Sequence, residues 1–321
     1  MKKFLSILLF NVSVLANTDW SNPNECVLPD NSKFIESLVN GMTLEQKVGQ
    51  IIMPEINSVT PEEAKRFHFG TILNGGGGFP NQNKDSDIQD WKNLSKNYFD
   101  VSTEVNGTKI PILWGTDAVH GHNNVIGATI FPHNIALGAT RNAELVKKIG
   151  SAVAKEVAST GIIWTFAPTI AVPQNDLWGR TYEGYSENTQ LVTELGRNFI
   201  LGLQGIDKDF LDNDHVLATA KHFIGDGGTD RGIDQGNTIV NEDTLKSVHG
   251  VPYYAAIDSC ALSVMATFNS WNGVKTHGNK YLLIDVLKSQ MEFNGFIVGD
   301  WNGHGQIPGC EDANCPEAFN A

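Results

Sequence analysis

The sequence predicts an α/β fold: a (β/α)8 barrel of the TIM type, truncated before its last βα unit. Three observations predict it. Short apolar segments alternate with helical stretches along the chain. Those segments are close to continuously apolar, as parallel strands covered on both faces are. Seven such segments can be counted, where a closed barrel needs eight. A chain of 321 residues is long enough to bury such a core.

The elements follow in chain order. Residues 1–16 read as a secretory signal peptide: Lys2 and Lys3 give a basic start, an apolar run is broken only by Ser6, Asn11 and Ser13, and Ala16 is a small residue at the cleavage point. The run is short for a membrane span, and no later segment approaches ~18 uninterrupted apolar residues. The mature chain is therefore expected off the membrane, secreted or periplasmic. Residues 17–40 read as a leader segment and 41–321 as the incomplete barrel.

Candidate strands are 48–53, 70–73, 111–114, 164–167, 216–221, 263–268 and 296–298. Thr43 with Gln46 three positions on is a capping-box arrangement that opens a helix at 44–50, in competition with the first strand. Residues 88–105 are amphipathic. Asn142 caps a helix over 143–160, with Leu145, Ile149, Val153 and Val157 on one face and Gly161 as its stop. Asn188 opens a helix to 203, stopped by Gly205. Helical stretches at 242–259 and 281–291 follow. The glycine run 75–78 lacks the Gly-Lys-Ser/Thr of a phosphate loop and reads as a backbone turn at a strand end. The last six residues read as the opening of a helix with no cap, the ground for expecting a truncated chain.

Composition narrows the function. A net charge of −13 argues against a nucleic-acid partner, which would want a basic face, and suits a neutral substrate. Cys310 and Cys315 lie in a turn-rich segment and are expected to form a short-loop disulfide; the rival metal site has no ligands at metal spacing nearby. Cys26 and Cys260 are too far apart for sequence to decide whether they pair, and a buried thiol is the other reading of Cys260.

The chemistry concentrates at strand ends, where a barrel places it. The segment 295–303 carries most information: an apolar strand ends on Asp300 and Trp301. A carboxylate there can attack or stabilise an anomeric carbon, and an indole offers an apolar face to a sugar ring. Asp117 follows the strand at 111–114, Arg180 lies beyond that at 164–167, and Lys221 and His222 close that at 216–221. Together they form a ring of groups suited to adjacent hydroxyls: carboxylates accept, Arg and Lys donate. Structural readings stand beside these. Arg180 could pair with Glu183 or Glu187, His222 could be a satisfied core histidine, Asp226 could serve its glycine-rich turn, and Trp178 and Trp271 could pack. His120, His122 and His304 carry no derivable role.

Five motifs, at 115–121, 178–183, 221–228, 270–273 and 299–303, occur in the order seen in glycoside hydrolase family 3. Over residues 40–321 the chain resembles the N-terminal domain of that family, in its β-glucosidase and exo-β-glucanase branch. The resemblance implies that Asp300 is the nucleophile of a retaining mechanism. It implies that Asp117, Arg180, Lys221 and His222 bind hydroxyls of a terminal β-linked glucose, and that Trp301 lies at the sugar site. No metal or organic cofactor is implied. Lys221 and His222 are adjacent and would normally point to opposite faces; the resemblance implies non-proline cis peptides near them.

Retaining hydrolysis needs a second carboxyl as acid and base. In the β-glucosidase branch a further C-terminal domain supplies it, so this chain is expected to lack it. The single-domain β-N-acetylhexosaminidase branch is rejected: Ile224 and Asp226 stand where its motif has Pro and His, and residues 229–236 contain no histidine. A non-catalytic sugar-binding barrel or inactive remnant is the alternative.

Overall fold

A computed structural model describes residues 18–22, 26–104 and 109–308. The signal-peptide segment 1–16, Cys310 and Cys315 lie outside the described residues.

Nine strands are present among the described residues: β1 (Thr71–Asn74), β2 (Leu113–Thr116), β3 (Trp164–Thr165), β4 (Thr219–Phe223), β5 (Asn237–Thr238), β6 (Ser263–Ala266), β7 (Ser270–Trp271), β8 (Val274–Lys275) and β9 (Phe296–Val298). β1, β2 and β3 pair in parallel, as do β4, β6 and β9. Single bridges from Trp164 to Leu217 and from Thr169 to Lys221 join the two sets into one arc. A bridge from Glu55 to Leu73 adds an extended edge ahead of β1. Among the described residues no strand links β9 back to that edge. The arc follows chain order throughout, as successive right-handed βαβ crossovers require.

The first strand is displaced from its expected place. Residues 48–53 do not pair; the helix Leu44–Gln50 takes the first three of them. Thr43 and Gln46 cap each other reciprocally there, satisfying two otherwise orphaned amides, so helix wins locally and the extended backbone begins later. The caps at Asn142 and Asn188 form as expected, each side chain accepting from an amide three residues on. The helices Ala143–Ser159 and Thr189–Gln204 pack closely because Gly150 and Gly202 lie where they meet. A Cβ on Gly202 would sit 2.2 Å from the Lys147 carbonyl oxygen.

Two apolar layers hold the arc. The larger lies between strands and helices and includes Trp91, Trp114, Val153, Phe199, Leu203 and Val286. The smaller, Trp164, Phe166, Leu217, Met265 and Val298, lies inside the arc. Trp20, within the leader segment, is fully buried. Its indole donates to Glu242, its amide to Gln290, and its carbonyl accepts from the Tyr254 hydroxyl. Cys26 and Cys260 form a disulfide across a separation of 234 residues, so Cys260 is not a free thiol.

At β4 the ladder to β6 shifts register between Ala220 and Phe223, and the peptides Lys221–His222 and Phe223–Ile224 are cis. The expected irregularity is therefore present.

Candidate active site

The expected residues lie within the last residues of strands or in the connections that follow their C-terminal ends. Asp117 follows β2, and Arg180 lies in the long connection after β3, beside the 3₁₀ turn Thr181–Glu183. Lys221 and His222 belong to β4 itself, and Asp300 and Trp301 follow β9. All six line one cavity of about 1010 Å³. Its inner wall is the smaller apolar cluster, of which Trp164, Phe166, Met265 and Val298 reach the cavity.

The polar groups are organised before any sugar arrives. Lys221 Nζ donates to Asp117 Oδ1 at 3.3 Å. Arg180 forms a two-pronged pair with Glu183, both N···O distances 2.8 Å, and its Nη2 also lies 3.1 Å from His222 Nε2. His222 Nδ1 is 2.8 Å from Asp226 Oδ2. An ionised carboxylate only accepts and a guanidinium only donates. The pair of contacts therefore specifies neutral His222 with its proton on Nδ1 and its lone pair on Nε2. Asp300 completes the group: Oδ1 accepts from the Trp301 amide at 2.7 Å, and Oδ2 lies 3.7 Å from His222 Nε2. That leaves Oδ2 as the oxygen able to reach a substrate.

Electrostatics follow from this packing. Burial opposes charge on Arg180, but its hydrogen bonds and ion pair with Glu183, with Asp226 and Asp300 nearby, outweigh it and raise its pKa. Burial likewise opposes charge on Glu183, and Arg180 overcomes it, holding that carboxyl below its ordinary range. Four acidic side chains (Asp117, Glu183, Asp226, Asp300) thus gather around Arg180, Lys221 and His222. Excess negative charge at the mouth of an apolar cavity favours a transition state that develops positive charge on carbon.

Several readings resolve here. Arg180 is both Glu183's partner and a cavity residue, so its structural and functional readings do not exclude one another. Asp226 does more than serve its turn, since it holds His222. Trp178 is buried with its indole on Asp234, and the Trp271 indole donates to the Val240 carbonyl; both pack. Trp301 is 61% exposed at the cavity rim, with its ring 3.9 Å from where a Cβ on Gly75 would lie. His122 is buried against Thr160, and burial lowers its pKa to about 4.

Glu55 and Phe268 are among the lining residues that sequence reasoning missed. Glu55 reaches the cavity from the edge ahead of β1; burial raises its pKa, and the Asn57 amide partly offsets this. Phe268 lines it from the end of β6. His277, outside the lining, accepts from the Asp300 amide. The glycines at 299 and 303, which leave room on either side of Asp300 for the His277 ring, are the sequence signal that could have found it.

The profile of the "Glycosyl hydrolase family 3 N terminal domain" matches residues 43–321. The chain is 29% identical over 286 residues to a lysosomal beta glucosidase of Dictyostelium discoideum, a match covering 84% of this chain and 35% of that protein. It is 29% identical over 279 residues to a periplasmic beta-glucosidase of Salmonella typhimurium, covering 85% and 33%. Among solved structures, a mutant of the exo-1,3/1,4-beta-glucanase of a Pseudoalteromonas species superposes with a TM-score of 0.90 at 48% identity, covering 95% of this chain and 50% of that one. A Listeria innocua beta-glucosidase in complex with isofagomine superposes with a TM-score of 0.75 at 26% identity, covering 89% and 39%. The chain spans between a third and a half of the length of these relatives. The arc of parallel strands is accordingly a (β/α)8-type barrel fold, and the chain belongs to glycosyl hydrolase family 3, of which it carries the N-terminal domain.

Proposed function

We propose that this chain supplies the nucleophile and the sugar-binding pocket of a retaining exo-β-glucosidase. The observation that carries the reading is Asp300 in the cavity lining, with Oδ1 fixed by the Trp301 amide and Oδ2 3.7 Å from His222 Nε2. Lys221 and Asp117, and Arg180 with His222, bind hydroxyls of a terminal β-linked glucose, and Trp301 covers one face of the ring. A pocket holding several hydroxyls of one sugar implies exo action.

In the first step Asp300 Oδ2 bonds to the anomeric carbon as the bond to the aglycone oxygen breaks. The bonding pair leaves with that oxygen, which takes a proton from a carboxylic acid outside the described residues. In the second step water attacks the anomeric carbon, its proton passes to the same carboxyl, and the ester to Asp300 breaks. A further C-terminal domain is the proposed source of that acid. The relatives' greater length supports this. We also place the mature protein outside the cytoplasm, after removal of residues 1–16. The Cys26–Cys260 disulfide supports that placement, since such bonds persist in oxidising compartments.

The test is rescue by azide. With 2,4-dinitrophenyl β-glucoside, whose leaving group needs little acid help, Asp300→Gly should be inactive until azide is added, and should then yield α-glucosyl azide. A β-configured product, or an Asp300→Gly variant as reactive as wild type, would refute Asp300 as the nucleophile; a folded wild type that releases no dinitrophenolate would leave the non-catalytic sugar-binding reading in its place.

A further inference from the structure

The Asp300 amide departs from the sheet at the point where catalysis needs it to. β6 and β9 pair in register from Ser263 with Phe296 to Met265 with Val298, and the Phe296 amide donates to the Leu262 carbonyl. Parallel ladders place their rungs every second residue along a strand. Continuing that alternation, the Asp300 amide would donate to the Ala266 carbonyl. It donates instead to His277 Nε2, at 3.0 Å. The same imidazole lies by the Thr267 backbone, which favours a proton on the ring, and since Nε2 is the acceptor that proton belongs on Nδ1. The ring therefore stands between the two strand ends as one rung of the ladder. It joins β6 to the nucleophile loop while holding them apart by its own width.

The loop is shaped around this ring. A Cβ on Gly303 would lie 2.1 Å from His277 Nε2, and one on Gly299 would touch the ring at 3.6 Å. The glycines on either side of Asp300 thus leave the space the imidazole occupies. Phe268, which lines the cavity, lies against the other side with ring centroids 5.8 Å apart. Burial pushes His277 down to about 4, despite Asp300 and the Thr267 backbone, with His304 and Lys275 also disfavouring its charge. At neutral pH the ring is uncharged, as an acceptor on Nε2 requires; a proton there would face the Asp300 N–H.

We propose that His277 is a positioning residue for the nucleophile, an imidazole rung that lifts Asp300 off the sheet edge and aims its carboxylate at the anomeric carbon. This rests on the glucosidase reading of the site. It touches no sugar and takes no proton in the reaction.

The experiment compares wild type, His277→Phe and His277→Gln as the full chain. Phe fills the space without an acceptor; Gln presents an amide oxygen near the Nε2 position. The first readout needs no turnover: amide hydrogen exchange at Asp300, with ¹⁵N NMR of the His277 ring. Wild type should show a protected Asp300 amide and a ring protonated on Nδ1 alone. His277→Phe should expose that amide, and His277→Gln should restore protection. The second readout is dinitrophenolate release against glucose affinity. His277→Phe should slow release about 10- to 100-fold, the loss expected for one buried hydrogen bond and its misplaced nucleophile, while the glucose Kd changes less than about 3-fold. His277→Gln should recover most of the rate. A wild-type ring protonated on Nε2, or an Asp300 amide equally protected in His277→Phe, overturns the proposal, and the NMR result does so even if His277→Phe fails to fold. Equal rates in the three proteins also overturn it. A wild type that shows the predicted exchange and tautomer but releases no dinitrophenolate overturns the glucosidase reading and leaves the structural rung standing.

Discussion

Replacing Asp226 by Asn tests the chain of contacts that runs from Glu183 through Arg180 and His222 to Asp226. The side chains have the same shape, so the change is one of proton logic. Asp226 can only accept from His222 Nδ1, at 2.8 Å, which leaves the Nε2 lone pair for Arg180 Nη2 at 3.1 Å. Asn can turn its NH₂ toward Nδ1 and stabilise the opposite tautomer. Nε2–H would then face a guanidinium N–H, and one charge-assisted hydrogen bond is lost. Such bonds contribute about 1.5–3 kcal/mol. Expressed in the transition state, that is roughly a 10- to 150-fold slower glycosylation step. Asp226 is 7% exposed, so solvent screening takes little of this away. The assay is single-turnover release of dinitrophenolate, with ¹⁵N NMR of the His222 ring as the direct check on the tautomer. A rate within about 2-fold of wild type, with the Nδ1–H tautomer retained, would refute the reasoning.

Three further outcomes follow from the same geometry. Arg180→Lys keeps a charge but loses the fork on Glu183 and the contact to His222, so glycosylation should slow about 10- to 100-fold; an unchanged rate would show the fork to be dispensable. Burial holds His122, His249 and His277 down to about 4 in the folded state, whereas the unfolded chain takes up those protons near 6.5. The unfolded state therefore gains protons first on acidification, so these residues should leave stability level above about pH 7, erode it from about 6.5 to 4, and add no further loss below that. A Tm that is constant from pH 7 to pH 4 would contradict them. Reducing the Cys26–Cys260 disulfide, or replacing Cys260 by Ser, should lower stability by about 2–5 kcal/mol, since it closes a very long loop; denaturant unfolding with and without reductant measures this.

Much of the fold was legible because its signals are local. The caps at Thr43, Asn142 and Asn188 announce helix starts, and apolar runs such as 296–298 announce strands. The first strand was misplaced because residues 48–50 suit the end of a helix as well as a strand pattern, and only the reciprocal bonds of Thr43 and Gln46 decide between them. The small sheet of β5, β7 and β8 was invisible as a unit: each strand has two residues, too few for a period. Trp20 shows no sequence sign of burial, because the partners that bury it lie more than 220 residues away.

The site divides the same way. Asp117, Arg180, Lys221, His222, Asp300 and Trp301 were legible because strand ends converge in a barrel, and the cavity brings all six together. The partners that orient them were less so. Asp226 sits four residues from His222, and its role depends on how the Gly225–Gly228 turn folds back. His277 precedes Asp300 by 23 residues, and its contact is with a backbone amide, which no pattern of side chains reveals.

Covalent trapping reads out the nucleophile itself. The folded chain is incubated with 2,4-dinitrophenyl 2-deoxy-2-fluoro-β-glucoside, weighed intact by mass spectrometry, digested and mapped. One fluoroglucosyl group per chain should be found, attached at Asp300 and absent from Asp300→Asn. A chain with the expected far- and near-ultraviolet circular dichroism that acquires no label, or one labelled on another carboxylate, would contradict the assignment of Asp300 as nucleophile.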